Sequence, residues 1–179
     1  LGSRGGKIGD TMNTLAFATE ADIAVCAQIL DEGRAFQKAQ GFTQWTDDYP
    51  NADTIRADVR TGKGYVVLAD GTIAGYLCID FDGEPAYQQI EGAWRSDKPY
   101  AVVHRMAFSS QFRGIGLADK TFRLIETLCV QKGVPYVRID TDFPNERMQH
   151  ILEKNGFVRC GTIVFQGSGK IAYDKLLTA

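Results

Sequence analysis

The chain has 179 residues, 44% of them hydrophobic and 23% charged, the length and composition of one globular domain with core enough to need no disulfide or metal staples. Twenty Lys and Arg against twenty-two Asp and Glu leave a net charge of −2, which argues against a generic nucleic-acid or anionic-membrane binder, and no apolar run reaches the roughly 18 residues of a membrane span. Four cysteines without a C-x-x-C pair, and only two histidines, His104 and His150, argue against a zinc site or a disulfide framework.

Leu1 to Thr11 (LGSRGGKIGDT) is glycine-rich and resembles a vector-derived leader ahead of a native start at Met12. A single domain is expected over residues 12–179, cytoplasmic because no apolar signal-peptide core precedes it. Thr14–Thr19 reads as a first strand, and Glu20–Gln40 as a helix with a stripe of Ile23, Ala27, Leu30, Arg34 and Ala35, ended by Gly41. Thr43–Asn51 (TQWTDDYPN) is an aromatic and polar loop, followed by a short helix over Ala52–Thr61. Tyr65–Ala69 and Ile73–Ile79 form a hairpin around Asp70-Gly71-Thr72.

Asp82–Pro99 is a polar excursion with Tyr87 and Trp94 embedded, expected to hold one short helix. Tyr100–Phe108 is apolar on both faces and belongs in the middle of a sheet. A glycine turn then opens a helix from Leu117 to Lys132, with Phe122, Ile125, Leu128 and Cys129 inward and Gly133 as its cap. Tyr136–Thr141 is a strand, Asn145–Asn155 a helix closed by Gly156, and Phe157–Phe165 and Ile171–Leu177 the final strands. Cys26, Cys78 and Cys129 sit inside apolar patterns and read as small buried hydrophobes.

The chemistry concentrates in strand, glycine turn and helix, residues Met106 to Ala118 (MAFSSQFRGIGLA). A helix start after a glycine loop offers unpaired N–H groups and the positive end of a dipole to a phosphate, and Gly114 and Gly116 let a ligand approach the backbone. The same glycines would also serve a tight turn for its own sake. A P-loop would need Lys-Ser/Thr after its second glycine, and a dinucleotide fingerprint three glycines in G-x-G-x-x-G spacing; neither is present.

The pattern that fits is R/Q-x-x-G-x-G/A, met by Arg113-Gly-Ile-Gly116-Leu-Ala118. With His104-Arg-Met-Ala-Phe108 before it and Asn145-Glu-Arg-Met148 running to Glu153-Lys-Asn-Gly-Phe157 after it, the chain resembles the GNAT superfamily of acetyl-coenzyme A-dependent N-acetyltransferases. The order of elements agrees from Thr14 to Leu177. The resemblance implies a mixed α/β (α+β) fold: a mostly antiparallel central sheet flanked by helices, with a splayed parallel pair at a cofactor cleft. It also implies that Met106, Ala107 and Phe108 lie along pantetheine, that Arg113, Gly114, Ile115, Gly116, Leu117 and Ala118 surround the pyrophosphate, and that Asn145 reaches the pantetheine arm or the departing thiol.

An amine attacks a thioester only as the free base, so an ammonium acceptor needs a proton sink. His104 is the leading candidate, placed by two-residue periodicity on the face of Met106, although the family often carries a glutamate in this neighbourhood. Arg105 points the other way and is expected to pair with Asp140. Where many family members have a tyrosine seven residues after the asparagine, this chain has Leu152, on the face shared by Asn145 and Met148; His150 is rotated roughly 140° away. Trp45, Tyr49, Tyr76, Tyr87 and Trp94 are substrate-contact candidates because the family places its acceptor beside such segments and aromatic walls suit an amine.

The resulting expectation is acetyl transfer from acetyl-CoA to a primary amine by direct attack in a ternary complex. The acceptor is a small molecule, no metal, nucleic acid or membrane takes part, and a homodimer is left open. Two alternatives stand beside it: an acetyltransferase acting on a protein N-terminus or lysine, and a non-catalytic acyl-CoA-binding or sensing protein.

Overall fold

The computed structural model describes residues 8–9 and 13–178. It has a mixed α/β fold with a mostly antiparallel sheet and one parallel pair. Most of the proposed leader lies outside the described residues; its Ile8–Gly9 forms a two-residue strand, β1, which was not foreseen. Contacts divide the chain into two compact units, one of residues up to Ile79 with His104–Ile125 and the other of Asp80–Val103 with the residues from Glu126 on.

In the first unit β1, β2 (Asn13–Phe17), β3 (Gly64–Ala69) and β4 (Thr72–Asp80) pair antiparallel in sequence order. The hairpin turn has two residues rather than three, since Asp70 and Gly71 both take positive φ, 49° and 81°, and Thr72 already pairs with Ala69. That is the turn whose twist matches a two-residue hairpin.

A 3-10 turn at Glu20–Asp22 leads into α1 (Ile23–Ala39), and α2 (Ala52–Arg60) starts at Asn51, whose side chain accepts from the Thr54 N–H at 3.1 Å. Ile23, Cys26, Ile29 and Leu30 of α1 pack with Ile55 of α2 on Ala16, Val66, Leu68 and Tyr76 of the strands. The buried stripe of α1 keeps Ile23, Leu30 and Arg34 of the expected one, but takes in Gln37 and leaves Ala35 exposed. The cause is the Thr43–Asn51 loop beneath it, which Arg34 holds by donating to the carbonyls of Thr46 and Pro50.

In the second unit the first residues of β6 (Ala101–Phe108) pair parallel with β7 (Tyr136–Asp142), through Ala101↔Val137 and Val102↔Arg138. β7 pairs antiparallel with β9 (Ser168–Leu176), β9 with β8 (Val158–Phe165), and β8 with the short β5 (Glu91–Gly92). Helix α3 (Leu117–Gln131), of which the residues up to Ile125 belong to the first unit and the rest to the second, buries Phe122, Ile125, Leu128 and Cys129 as its periodicity predicts. Helix α4 (Glu146–Lys154) follows, with Gly156 left-handed beyond its end.

The excursion after β4 contains a 3-10 turn at Pro85–Gln88 and is strapped to this unit by polar groups. Trp94 Nε1 donates to the Tyr87 carbonyl at 2.8 Å, and the Arg138 guanidinium lies 4.0 Å from the Tyr100 ring centre and 4.4 Å from that of Trp94. Asp174, 0% exposed, accepts from Arg95 Nε and the Tyr136 hydroxyl, both at 2.6 Å, and from the Arg95 N–H at 3.0 Å. Burial alone would raise its pKa, but these donors outweigh burial and hold the carboxyl below its ordinary value.

A carboxyl with a lowered folded pKa stabilises the protein above its unfolded pKa, and that contribution is lost as pH falls through the folded value. Asp174→Asn therefore has a lower Tm than the parent at pH 7 and a shallower loss of Tm on acidification below about pH 4. Thermal melts of both proteins across the acid range check this; parallel curves would contradict it.

Candidate active site

The last residues of β6 and the turn after it belong to the first unit. Ser109 N–H donates to the Ala74 carbonyl at 2.8 Å, and a 3-10 turn at Ser110–Phe112 follows, its Ser110 N–H held by Glu32 of α1 at 2.9 Å. Arg113 points back onto α1 as well. Its Nη2 donates to the Glu32 carbonyl at 3.0 Å, and its guanidinium lies 4.2 Å from the Phe36 ring centre. The arginine of the motif thus anchors the loop.

What the loop presents outward is backbone. Gly114 and Gly116 are left-handed, φ 80° and 74°, and apart from the adjacent residues no heavy atom lies within 4 Å of where a Cβ would stand. Ile115 between them is 55% exposed. Lys120 N–H donates to the Gly116 carbonyl, so α3 begins there and the N–H groups of residues 117–119 fall in its first turn, at the positive end of the helix. Leu117 is buried and Ala118 half-buried.

Upstream, the Ala107 side chain belongs to the core under α1, while Met106 and Phe108 are half-buried. Phe108 lies over Gly75 of β4, where an added Cβ would stand 2.7 Å from the Phe108 ring and 3.0 Å from the Ala107 carbonyl oxygen.

Arg105 departs from strand geometry. Its φ is 54°, a left-handed backbone that costs a non-glycine residue about 1–2 kcal/mol. Alternation of faces presumes extended residues throughout, so His104 and Met106, on either side of Arg105, are not related by the simple two-residue period used to place His104. His104 itself is half-buried.

The partner of Arg105 is Asp58 of α2, not Asp140. Nη2 donates to Asp58 Oδ1 at 2.7 Å and Nε to Oδ2 at 3.1 Å, while Nη1 donates to the Tyr49 hydroxyl at 2.8 Å. Tyr76 adds a third donor to Asp58, its phenol pushed well above the usual range by burial and then by the carboxylate. Asp140 instead accepts from the Tyr87 hydroxyl at 2.6 Å, because the excursion brings that ring over β7 within the second unit. Asp58 was not among the residues singled out from sequence; nothing local in ADTIRADVR distinguishes it from the other polar positions of an amphipathic helix.

The aromatic candidates divide. Tyr76 and Tyr87 are almost fully buried, with their hydroxyls committed to carboxylates. Trp45 packs on Gly33 and the core beneath α1, and Trp94 on Arg138. Tyr49 is half-exposed, its hydroxyl in the grip of Arg105. In the second unit, Asn145 caps α4 by accepting from the Met148 N–H at 3.1 Å. Leu152 is 0% exposed and faces core, so the stripe of Asn145, Met148 and Leu152 runs inward, and His150 lies on the exposed side. Among the described residues no His, Cys, Asp and Glu cluster could hold a metal, and no helix is long and apolar enough to cross a membrane.

The sequence pattern of the acetyltransferase (GNAT) family matches residues 30–157. Among solved structures, a GNAT-family acetyltransferase from Streptococcus agalactiae is 33% identical, covers 96% of this chain and 99% of its own, and superposes with a TM-score of 0.87. A ribosomal L7/L12 alpha-N-protein acetyltransferase is similar at 15% identity, over 96% of this chain and 94% of its own, with a TM-score of 0.70. An aminoglycoside acetyltransferase in complex with coenzyme A is similar at 20% identity, over 92% and 94%, with a TM-score of 0.68. No curated protein matches the chain.

The close seat of Phe108 on Gly75 gives a direct test of how tightly β6 is held. Gly75→Ala forces the ring or the strand aside and lowers stability by about 1–3 kcal/mol, the usual cost of overpacking. Urea unfolding measures it, and an unchanged midpoint would show the strand to be free to shift.

Proposed function

The chain belongs to the acetyltransferase (GNAT) family, and on that premise we propose that it transfers an acetyl group from acetyl-coenzyme A to a primary amine by direct attack in a ternary complex. The acceptor we carry forward is a small-molecule amine, the class that the aminoglycoside acetyltransferase of the same fold is named for.

The observation that carries this reading is the exposed loop of residues 113–116. Two left-handed glycines bare its backbone at the start of a 15-residue helix, and its arginine is turned inward, so main-chain N–H groups and the helix dipole meet the pyrophosphate. Met106 to Phe108 lead into that loop and line the pantetheine arm.

Direct attack also suits the thiols. Cys26, Cys78 and Cys129 are buried, burial pushes the Cys129 thiol up to about 12, and burial with Asp174 pushes Cys160 up to about 11. A thiol that far from ionising is a poor nucleophile, so no covalent acyl-enzyme step is called for. The amine gives its proton to His104, directly or through a water, as it attacks the thioester carbon. The carbonyl oxygen takes up the negative charge against a backbone N–H of β6, and collapse expels the coenzyme A thiolate, which is protonated by water.

Incubation with acetyl-CoA and a panel of amines is expected to release free thiol in step with acetylated amine. Coenzyme A binding without thiol release from any amine would favour the sensing alternative. Ile115→Glu, at an exposed position without positive φ, weakens coenzyme A by about tenfold or more relative to Ile115→Gln, since like charges about 4 Å apart near a protein surface repel by 1–4 kcal/mol. Equal affinities by calorimetry would remove the pyrophosphate from this loop.

His104→Ala is expected to lower kcat/KM by about a hundredfold, within the range of a lost general base, and to remove the acid limb of its pH profile. A retained limb in a folded variant would return the proton to another group.

A further inference from the structure

We propose that Asp58 is a positioning residue for acetyl transfer: it holds Arg105 in the left-handed conformation that turns the neighbouring peptide planes of β6, and so sets where the His104 side chain and the Met106 N–H stand. The inference rests on the reading that β6 borders the reacting groups, and it concerns residues of the first unit alone.

The starting point is a mismatch between residue and conformation. Glycine enters the left-handed region freely, whereas a residue with a Cβ stays there only where its surroundings over-determine it. At position 105 the over-determination is visible. The guanidinium spends Nε and Nη2 on the two oxygens of one carboxylate and Nη1 on the Tyr49 hydroxyl. A two-pronged grip of this kind fixes the plane of the guanidinium as well as its position, which a lysine's single ammonium would not do.

Asp58 is fixed in turn. Its side chain is 8% exposed, and Tyr76, itself 0% exposed, donates to Oδ2 beside Arg105 Nε. Three donors on two oxygens, from β4 and β6, leave the carboxylate little freedom to follow Arg105 should that residue relax to extended geometry. The grip therefore acts on the backbone. In an extended strand successive N–H groups point to opposite sides; a left-handed residue rotates the peptides that flank it, so the two residues next to Arg105 take their orientation from it. Those residues are His104 and Met106.

Fold stability alone does not call for this device, because a buried ion pair is often replaceable by apolar side chains without loss. What apolar packing would not reproduce is a long side chain that ties one backbone dihedral of β6 to α2.

The test uses Asp58→Asn, nearly isosteric, and the double variant Asp58→Asn/Arg105→Gly, in which glycine takes the left-handed backbone without an anchor. Backbone chemical shifts and the HN–Hα coupling of residue 105 report its φ independently of activity. Asp58→Asn is expected to lose the left-handed signature and to lower kcat by about tenfold or more, within the hundredfold that a misplacement of about 1 Å produces, while coenzyme A affinity stays within about twofold. The double variant is expected to regain kcat by about threefold or more over Asp58→Asn, which a purely stabilising role would not give. Retention of the left-handed signature in Asp58→Asn would overturn the inference, as would its loss with kcat unchanged, or a double variant no faster than the single one. If the parent protein itself binds no coenzyme A, the functional reading fails, and the φ measurement still decides whether Asp58 holds the strand.

Discussion

Two opposite charges lie 2.7 Å apart in the first unit, Asp58 with 8% and Arg105 with 13% of its side chain exposed. Taking both out of water is costly, and their attraction offsets that cost only when the remaining donors and acceptors are also satisfied. Here they are. Tyr76 completes the carboxylate, and Tyr49 takes the third guanidinium nitrogen. The aromatic loop, α2, β4 and β6 are thereby tied at one point. Removing either charge strands the other in a site where water is scarce, so these segments keep their mutual placement or lose it together.

The second unit solves a comparable problem with different residues. Arg138 is 7% exposed on β7, and its guanidinium is enclosed by the rings of Trp94, Tyr100 and Tyr136, while its Nη2 donates to the Ser96 carbonyl at 2.8 Å. Arg95 and Tyr136 likewise satisfy Asp174 on β9. Long polar excursions are ordinarily mobile surface. This one covers buried charges, and its rings supply the faces that make a weakly hydrated guanidinium tolerable in an interior.

Thiols with raised pKa values, phenols locked to carboxylates and an arginine folded onto α1 are all withdrawn from direct reaction. The transfer proposed above uses instead the main-chain N–H groups of a glycine loop and His104, beside a left-handed residue. The proposed reaction would need little more, because stabilising a developing oxyanion depends on where N–H groups are held.

Apart from the two-residue strands β1 and β5, the amino-acid sequence by itself determined the order and type of the elements, the hairpin, the inward face of α3, the burial of three cysteines and the glycine turn before a helix. Each follows from interactions within a few residues: period of apolar positions, turn chemistry, a glycine where φ is positive. The same locality shows why the motif R-G-I-G-L-A was legible and the inward turn of its arginine was not, since Glu32 and Phe36 lie about 80 positions earlier. Only the tertiary structure decided which charge meets which. Asp58 and Arg105 are 47 residues apart, Tyr87 and Asp140 are 53 apart, and no periodicity encodes either pair. It decided equally that Tyr76 and Tyr87 are core and that Leu152 faces inward, because an aromatic or aliphatic side chain reads alike in a pocket wall and in a core until the opposing surface is known. Above all it decided the left-handed backbone of Arg105. That conformation is imposed by a carboxylate on another element against the residue's own preference, and a preference is all that a local stretch of sequence can express.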